Sequence, residues 1–213
     1  MKVQSPITLW GAGTSRTMRP VWVAEELGIT YDLKPIGPRT GETQTSEFTL
    51  LNPKQKIPLL VSGSLCLSES LAICRYLTTA FPGDALYLPK TPEARAREDE
   101  WCCYIYGELD ETSLYVMRRH GDLGHIYGNA PEVVSAAGDY ALKHFAVTAE
   151  RLGEQQSVLP EGFGLADIML MTCLDWAIAY RLTLPTELIR YHRHIAQRPA
   201  YQRAKAANFA RTI

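Results

Sequence analysis

The sequence predicts a chain of two units: an α/β unit of order βαβαββα in residues 1–82 and an all-helical unit in residues 91–213, joined by a linker at 83–90. Three observations predict it. In the first part, short β-rich runs alternate with stretches whose apolar residues recur at helical spacing. Between residues 82 and 92 the chain collects Pro, Gly and Asp, the composition of a domain boundary. Past that point strand-like runs stop and helical windows alone remain.

The first strand is ITLWG at 7–11, a β-rich run that stops at glycine. Met18, Val21, Trp22, Ala24 and Leu27 then share a helical face, and Gly28 suits the position just past a helix end. TYDLKPI resumes an extended pattern and turns at Gly37-Pro38, so the opening reads as a βαβ unit with its two strands parallel. A short helix is expected at 47–51, and runs at 57–61 and 65–67 flank Ser62-Gly63-Ser64 as a hairpin. Ser68-Glu69-Ser70 leads into LAICRYLTTAF, where Leu71, Cys74, Leu77 and Thr78 mark one helical face before Pro82-Gly83 breaks the run. In the second unit Thr91-Pro92-Glu93 supplies an N-cap, a proline at the first helical position and an acid in the first turn, and this helix is expected to reach about His120. Further helical windows lie at 131–151, 165–180, 187–197 and 199–208.

With 22 basic and 23 acidic residues the net charge is −1, so no broad basic surface awaits a phosphate backbone or anionic lipid. Neither nucleic acid nor a membrane is an expected partner. The opening residues lack the features of a signal peptide and no run of about 18 apolar residues occurs, which points to a cytoplasmic protein. Cysteines 66, 74, 102, 103 and 173 are odd in number and form no CxxC, so they read as reduced thiols. His192-x-His194 on a helix would aim its rings about 200° apart, and no metal site is expected.

Three motifs, TSRTMRPVWVAEELG at 14–28, NPKQKIPLL at 52–60 with LSES at 67–70, and GLADIML at 164–170, resemble the soluble glutathione transferase family in order and spacing, across nearly the whole chain. The resemblance implies a thioredoxin-like N-terminal domain that binds glutathione and an all-helical C-terminal domain that contributes the electrophile pocket. It implies no cofactor, glutathione being a co-substrate, and a homodimer as the usual assembly.

Residue by residue, Ser15 falls where serine-type members carry their catalytic hydroxyl, with Arg16 as an electrostatic helper; Ser15 could equally be no more than the N-cap of its helix. The stretch Ser15-Arg16-Thr17-Met18 holds no cysteine, which argues against a protein thiol that forms mixed disulfides there. The family's glutathione cradle implies a cis bond at Pro58 and main-chain pairing of the cysteinyl part of the tripeptide with Ile57; the local sequence also fits a proline opening an edge strand. Glu69 and Ser70 match the pair that grips the γ-glutamyl end, an anion-binding helix start beside an acid for the ammonium. Alternatively, Ser68 caps this helix and Glu69 favours its dipole. Gln55 takes the position that contacts the glycine end, with Lys56 beside that carboxylate. Many relatives have Gly at the position of Gln55 and serine-type relatives often have Arg at that of Leu71, departures that affect the glycyl and dimer-side contacts. In the third motif Gly164 replaces a hydroxyl residue, and Asp167 retains half of a structural capping box.

In this family the electrophile lies against the first long helix of the C-terminal domain. There Tyr104, Glu108, Glu111 and Tyr115 form one stripe, which either lines a pocket or faces solvent, while Trp101, Ile105, Leu109 and Val116 form a core stripe. The implied function is activation of the glutathione thiol for conjugation to small electrophiles or for peroxide reduction. Two alternatives stay open: a glutathione-dependent disulfide reductase without a protein thiol, and a non-catalytic binding module on the same fold.

Overall fold

A computed structural model of the chain describes residues 5–210. The elements run β1 (Ile7–Trp10), α1 (Ser15–Leu27), β2 (Tyr31–Lys34), α2 (Ser46–Leu51), β3 (Leu59–Ser62), β4 (Leu65–Ser68), α3 (Ser70–Ala80), α4 (Pro92–Tyr104), a π-helical segment Ile105–Leu114, α5 (Tyr115–His120), α6 (Gly124–Tyr127), α7 (Pro131–Leu152), α8 (Leu165–Ala179), α9 (Thr186–Ile195) and α10 (Pro199–Asn208). They gather into two compact units, one holding residues up to Leu86 and from Gln197 onward, the other Tyr87–Ala196.

The first unit is built on a mixed sheet of order β2-β1-β3-β4. β1 pairs parallel with β2, as a βαβ crossover requires, and antiparallel with β3, which places Leu9 beside Leu33 on one side and Leu60 on the other. This is the thioredoxin-like arrangement that the element order predicts. The hairpin lies where expected except that β3 begins at Leu59 rather than 57; Gly63, with φ 58°, and Ser64 make the turn between Ser62 and Leu65. Ile57 and Pro58 stay outside the ladder because their peptide bond is cis and the loop closes there. α1 is buried continuously from Thr17 to Ala24 because it packs against both α3 and α10. The contact with α10 is specific. The Trp22 ring meets Tyr201 edge-on at 4.9 Å, and Arg198 reaches both carboxylate oxygens of Glu26 at 2.7 and 2.9 Å.

In the second unit α4 starts as expected, with the Thr91 side chain accepting from Ala94 N–H at 3.2 Å. The long helix does reach His120, but it is not one α-helix. In the segment Ile105–Leu114 the bonding widens to i→i+5, as when the Tyr115 N–H donates to Asp110 O. The Ser113 hydroxyl donates to the carbonyl of Glu108, five residues back. The wider turn breaks the expected stripes. Trp101, Ile105 and Leu109 are buried as predicted, but Leu114 takes the next inward position and Val116 is only half-buried. α8 is buried on nearly every face and forms the centre of this unit. At its start Asp167 accepts from the N–H groups of Gly164 and Val158 and from the Tyr191 hydroxyl, all within 2.8 Å. Among the described residues no helix is long and apolar enough to cross a membrane.

Candidate functional site

The loop between β1 and α1 is fixed by Thr14. Its Oγ1 accepts from the Thr17 N–H at 3.0 Å, and Thr17 Oγ1 accepts from the Thr14 N–H at 3.1 Å, a reciprocal cap. Ser15 is therefore not the N-cap. It is the first helical residue, half-buried at the N-terminus of α1, and its hydroxyl makes no hydrogen bond to another described residue. Arg16 follows it, also half-buried.

Gly11 is where the parts of the site meet. A Cβ added there would stand 2.6 Å from the Ile57 Cβ and 2.8 Å from the Thr17 Cγ2, and its φ of 112° already disfavours any side chain. The backbone thus draws the start of α1 against the loop before β3. Ile57-Pro58 is cis, as expected, and the Ile57 N–H and C=O form no hydrogen bond with another described residue. Asn52, itself buried, shapes this loop: its Nδ2 donates to Lys56 O at 2.8 Å and its carbonyl accepts from Gln55 N–H at 2.9 Å. Gln55 takes a left-handed φ of 53° and donates through Nε2 to Thr49 Oγ1 at 3.3 Å; Lys56 is exposed.

Ser68 does not cap α3. The N-cap is Glu69, in a strained conformation of φ 75° and ψ 119°, with no side-chain cap bond. Strain of this kind costs about 1–3 kcal/mol and persists where the surroundings impose it. It turns Glu69 outward and puts buried Ser70 at the first position of α3. Two cations that the sequence pattern does not single out complete this corner. Buried Arg19 donates through Nη1 to Ser70 Oγ at 3.3 Å, which leaves the Ser70 proton available for an incoming carboxylate. Lys54 Nζ lies 2.6 Å from Glu69 Oε1. An arginine in the middle of the buried run of α1 was the one available hint of Arg19; nothing local hints at Lys54. Nearby Cys74 is no nucleophile, since burial pushes its thiol up to about 12 despite the pull of Arg19.

Contacts therefore bring the first two motifs together in one unit, with Gly11 joining Thr17 to Ile57 and Arg19 joining α1 to Ser70. The residues expected to form the electrophile stripe lie in the other unit and do not act as one row. The Tyr104 hydroxyl lies 3.0 Å from His144 Nδ1, and Glu108 accepts from the Tyr140 hydroxyl, so α7 engages both. Glu111 accepts from the Tyr106 hydroxyl at 3.1 Å, while Tyr115 opens α5 beyond the π segment.

The glutathione S-transferase N-terminal domain family matches residues 5–79. Glutathione S-transferase GstA of Escherichia coli is 28% identical over 165 residues, covering 76% of this chain and 78% of that protein. Glutathione S-transferase 3 of Zea mays is 26% identical over 215 residues, with 95% of each chain covered. Among solved structures, the theta class glutathione S-transferase of Xanthomonas axonopodis pv. citri, with glutathione bound, superposes with a TM-score of 0.78 at 27% identity over 94% of this chain and 97% of that one. The fold, the cis-proline loop and these relatives aligned over most of the chain agree with that match: residues 5–79 belong to the glutathione S-transferase N-terminal domain family, in a chain similar to glutathione S-transferases over most of its length.

Proposed function

We propose that the protein binds glutathione in its first unit and activates the thiol at Ser15 for transfer to small electrophiles or for peroxide reduction. The observation that carries this reading is the release of Ser15 from capping: Thr14 performs that task, and the Ser15 hydroxyl stands at a helix N-terminus with no described partner. A thiol of pKa about 8.5 is only a few per cent ionised at neutral pH, and lowering it by two units needs about 2.7 kcal/mol. A hydroxyl hydrogen bond to the anion supplies about 1.5–3 kcal/mol and the helix start about 0.3–1 more. Arg16 adds positive potential. In the reaction the sulfur gives up its proton to solvent, and the thiolate held by Ser15 displaces the leaving group of the electrophile; with a peroxide it breaks the O–O bond, releasing the alcohol, and a second glutathione converts the resulting sulfenic acid to glutathione disulfide and water.

The rest of the tripeptide is read along the site. The unpaired main chain of Ile57, beside Pro58, suits the cysteinyl peptide groups, and Gln55 and Lys56 suit the glycine end. Ser70 and the N-terminus of α3 suit the γ-glutamyl carboxylate, while Glu69 takes the ammonium in place of Lys54. The helical unit supplies the electrophile pocket, with Tyr104, Glu108, Glu111 and Tyr115 as its candidate residues. The protein acts in the cytoplasm as a homodimer. The absence of a cysteine at 14–18 and the burial of Cys74 favour a second reading, disulfide reduction by two glutathione molecules with no protein thiol.

Calorimetric titration with glutathione tests the site. Ser70→Ala is expected to weaken binding about tenfold, by removing one charge-assisted hydrogen bond. Unchanged affinity in Ser70→Ala would remove the γ-glutamyl assignment, and no binding to the wild type at millimolar glutathione would leave the fold serving another purpose.

A further inference from the structure

Asn208 is the last residue of α10, a place where an asparagine ordinarily faces water, yet it is fully buried. Its polar groups are spent on a segment almost two hundred residues earlier. Its carbonyl accepts from the Gly13 N–H at 2.8 Å, its Nδ2 donates to Thr14 O at 3.1 Å, and its Oδ1 accepts from the Thr17 hydroxyl at 2.7 Å. Thr17 Oγ1 also lies 2.9 Å from Thr14 O, but a hydroxyl has one proton. Asn208 takes that proton at the shorter distance and supplies Thr14 O with a donor of its own. The asparagine amide thereby ties together both ends of the reciprocal cap that brackets Ser15.

We infer that Asn208 is a positioning residue for thiol activation: it holds Gly13, Thr14 and Thr17 so that the Ser15 hydroxyl and the N–H groups of the first turn of α1 converge on the sulfur. This inference rests on Ser15 being the activating hydroxyl. The physical requirement is geometric. A hydrogen bond weakens steeply once its angle or distance drifts, so a donor aimed at a thiolate is only as good as the loop that carries it. The cap between Thr14 and Thr17 orders one helical turn, and the N–H groups of Gly11 and Ala12 donate to Lys34 O and Ile36 O; the bonds that reach Gly13 N–H, Thr14 O and the Thr17 hydroxyl from α10 come from Asn208. Asn208 provides the anchor from α10, which is itself fastened to α1 by Arg198–Glu26 and Arg203–Glu25.

The test compares Asn208→Ala, Thr17→Val and Thr17→Ser with the wild type and Ser15→Ala. Three quantities are read: the pH titration of bound glutathione by thiolate absorbance, affinity for S-methylglutathione, and thermal unfolding. Asn208→Ala is expected to raise the bound thiol's pKa by about one unit and to lower kcat about tenfold. Affinity for S-methylglutathione, which has no proton to lose, is expected to change by less than about threefold. Thr17→Val removes the hydroxyl that Asn208 accepts from and is expected to reproduce the shift, Thr17→Ser keeps it and is expected to stay near wild type, and the double variant adds little. Should Asn208→Ala fail to fold, the Val and Ser pair at Thr17 carries the same test. A folded Asn208→Ala or Thr17→Val protein whose bound thiol titrates as in the wild type overturns the inference, even if its melting temperature falls. A wild type whose bound thiol titrates at its free value overturns the parent reading as well, which separates the two failures.

Discussion

Ser15 and Thr14 are adjacent residues of similar chemistry, and either satisfies the rule for a helix N-cap. The sequence leaves the cap open; the structure gives it to Thr14, whose Oγ1 accepts from the Thr17 N–H. Ser15→Ala is therefore expected to leave the helix and the melting temperature nearly unchanged while raising the bound thiol's pKa and lowering turnover about 100-fold, checked by steady-state kinetics beside thermal unfolding. A Thr14→Ala protein is expected to show the reverse order of effects, with loss of about 1 kcal/mol of stability in urea. Gly11 presents the opposite case, a residue whose side chain is excluded. Gly11→Ala forces a Cβ into Ile57 and Thr17 at a positive φ, and is expected to cost about 3 kcal/mol by denaturant titration. The cis bond at Pro58 and the place of Ser70 at the start of α3 were legible because their motif has fixed order. Arg19 and Lys54 were not, because each is defined by a partner on another element.

The elements of the first unit followed from periodicity, with β3 starting two residues later than expected. The second unit shows where periodicity stops being informative. A stripe read at α-helical spacing assumes i→i+4 bonding throughout, and the π segment Ile105–Leu114 violates that assumption halfway along the helix. No residue in it announces the change, which depends on Ser113 reaching the Glu108 carbonyl and on packing against α7 and α8. The start of α8 was better foreseen. Asp167 does bond the Gly164 N–H, and a side chain at Gly164 would press on the Tyr87 carbonyl 3.1 Å away, which explains why a hydroxyl residue is missing there. Burial pushes the Asp167 carboxyl from 3.8 up to about 6, against four hydrogen bonds that favour its charge, from Tyr191 and from the backbone of Gly164, Val158 and Asp167 itself. Because the folded value lies above the unfolded one, this group's favourable contribution is complete below about pH 4 and is lost as pH rises through about 6. The difference in unfolding free energy between wild type and Asp167→Asn is accordingly expected to shift against the wild type from pH 4 to pH 7, as followed by urea titration at each pH.

Across the whole molecule, the linker composition marks the place where one unit gives way to the other, but composition says nothing about where the chain goes last. The return of α10 to the first unit rests on pairings between residues far apart in sequence, Trp22 with Tyr201 and Glu26 with Arg198, and such pairings have no local signature. The Glu26 side chain is only 6% exposed, so removing Arg198 leaves a largely buried carboxylate without its cation, with the Trp22 Nε1 at 2.9 Å as its remaining donor. Arg198→Ala is expected to destabilise the protein by about 2 kcal/mol and to expose α10 to limited proteolysis first. The measurement that bears most directly on the central claim is thiolate absorbance of glutathione bound to the wild-type protein, followed across pH. The account predicts ionisation well below the free value of about 8.5, with Ser15→Ala moving it back upward. A bound thiol that titrates at its free value, or a Ser15→Ala protein that titrates as the wild type does, would contradict it.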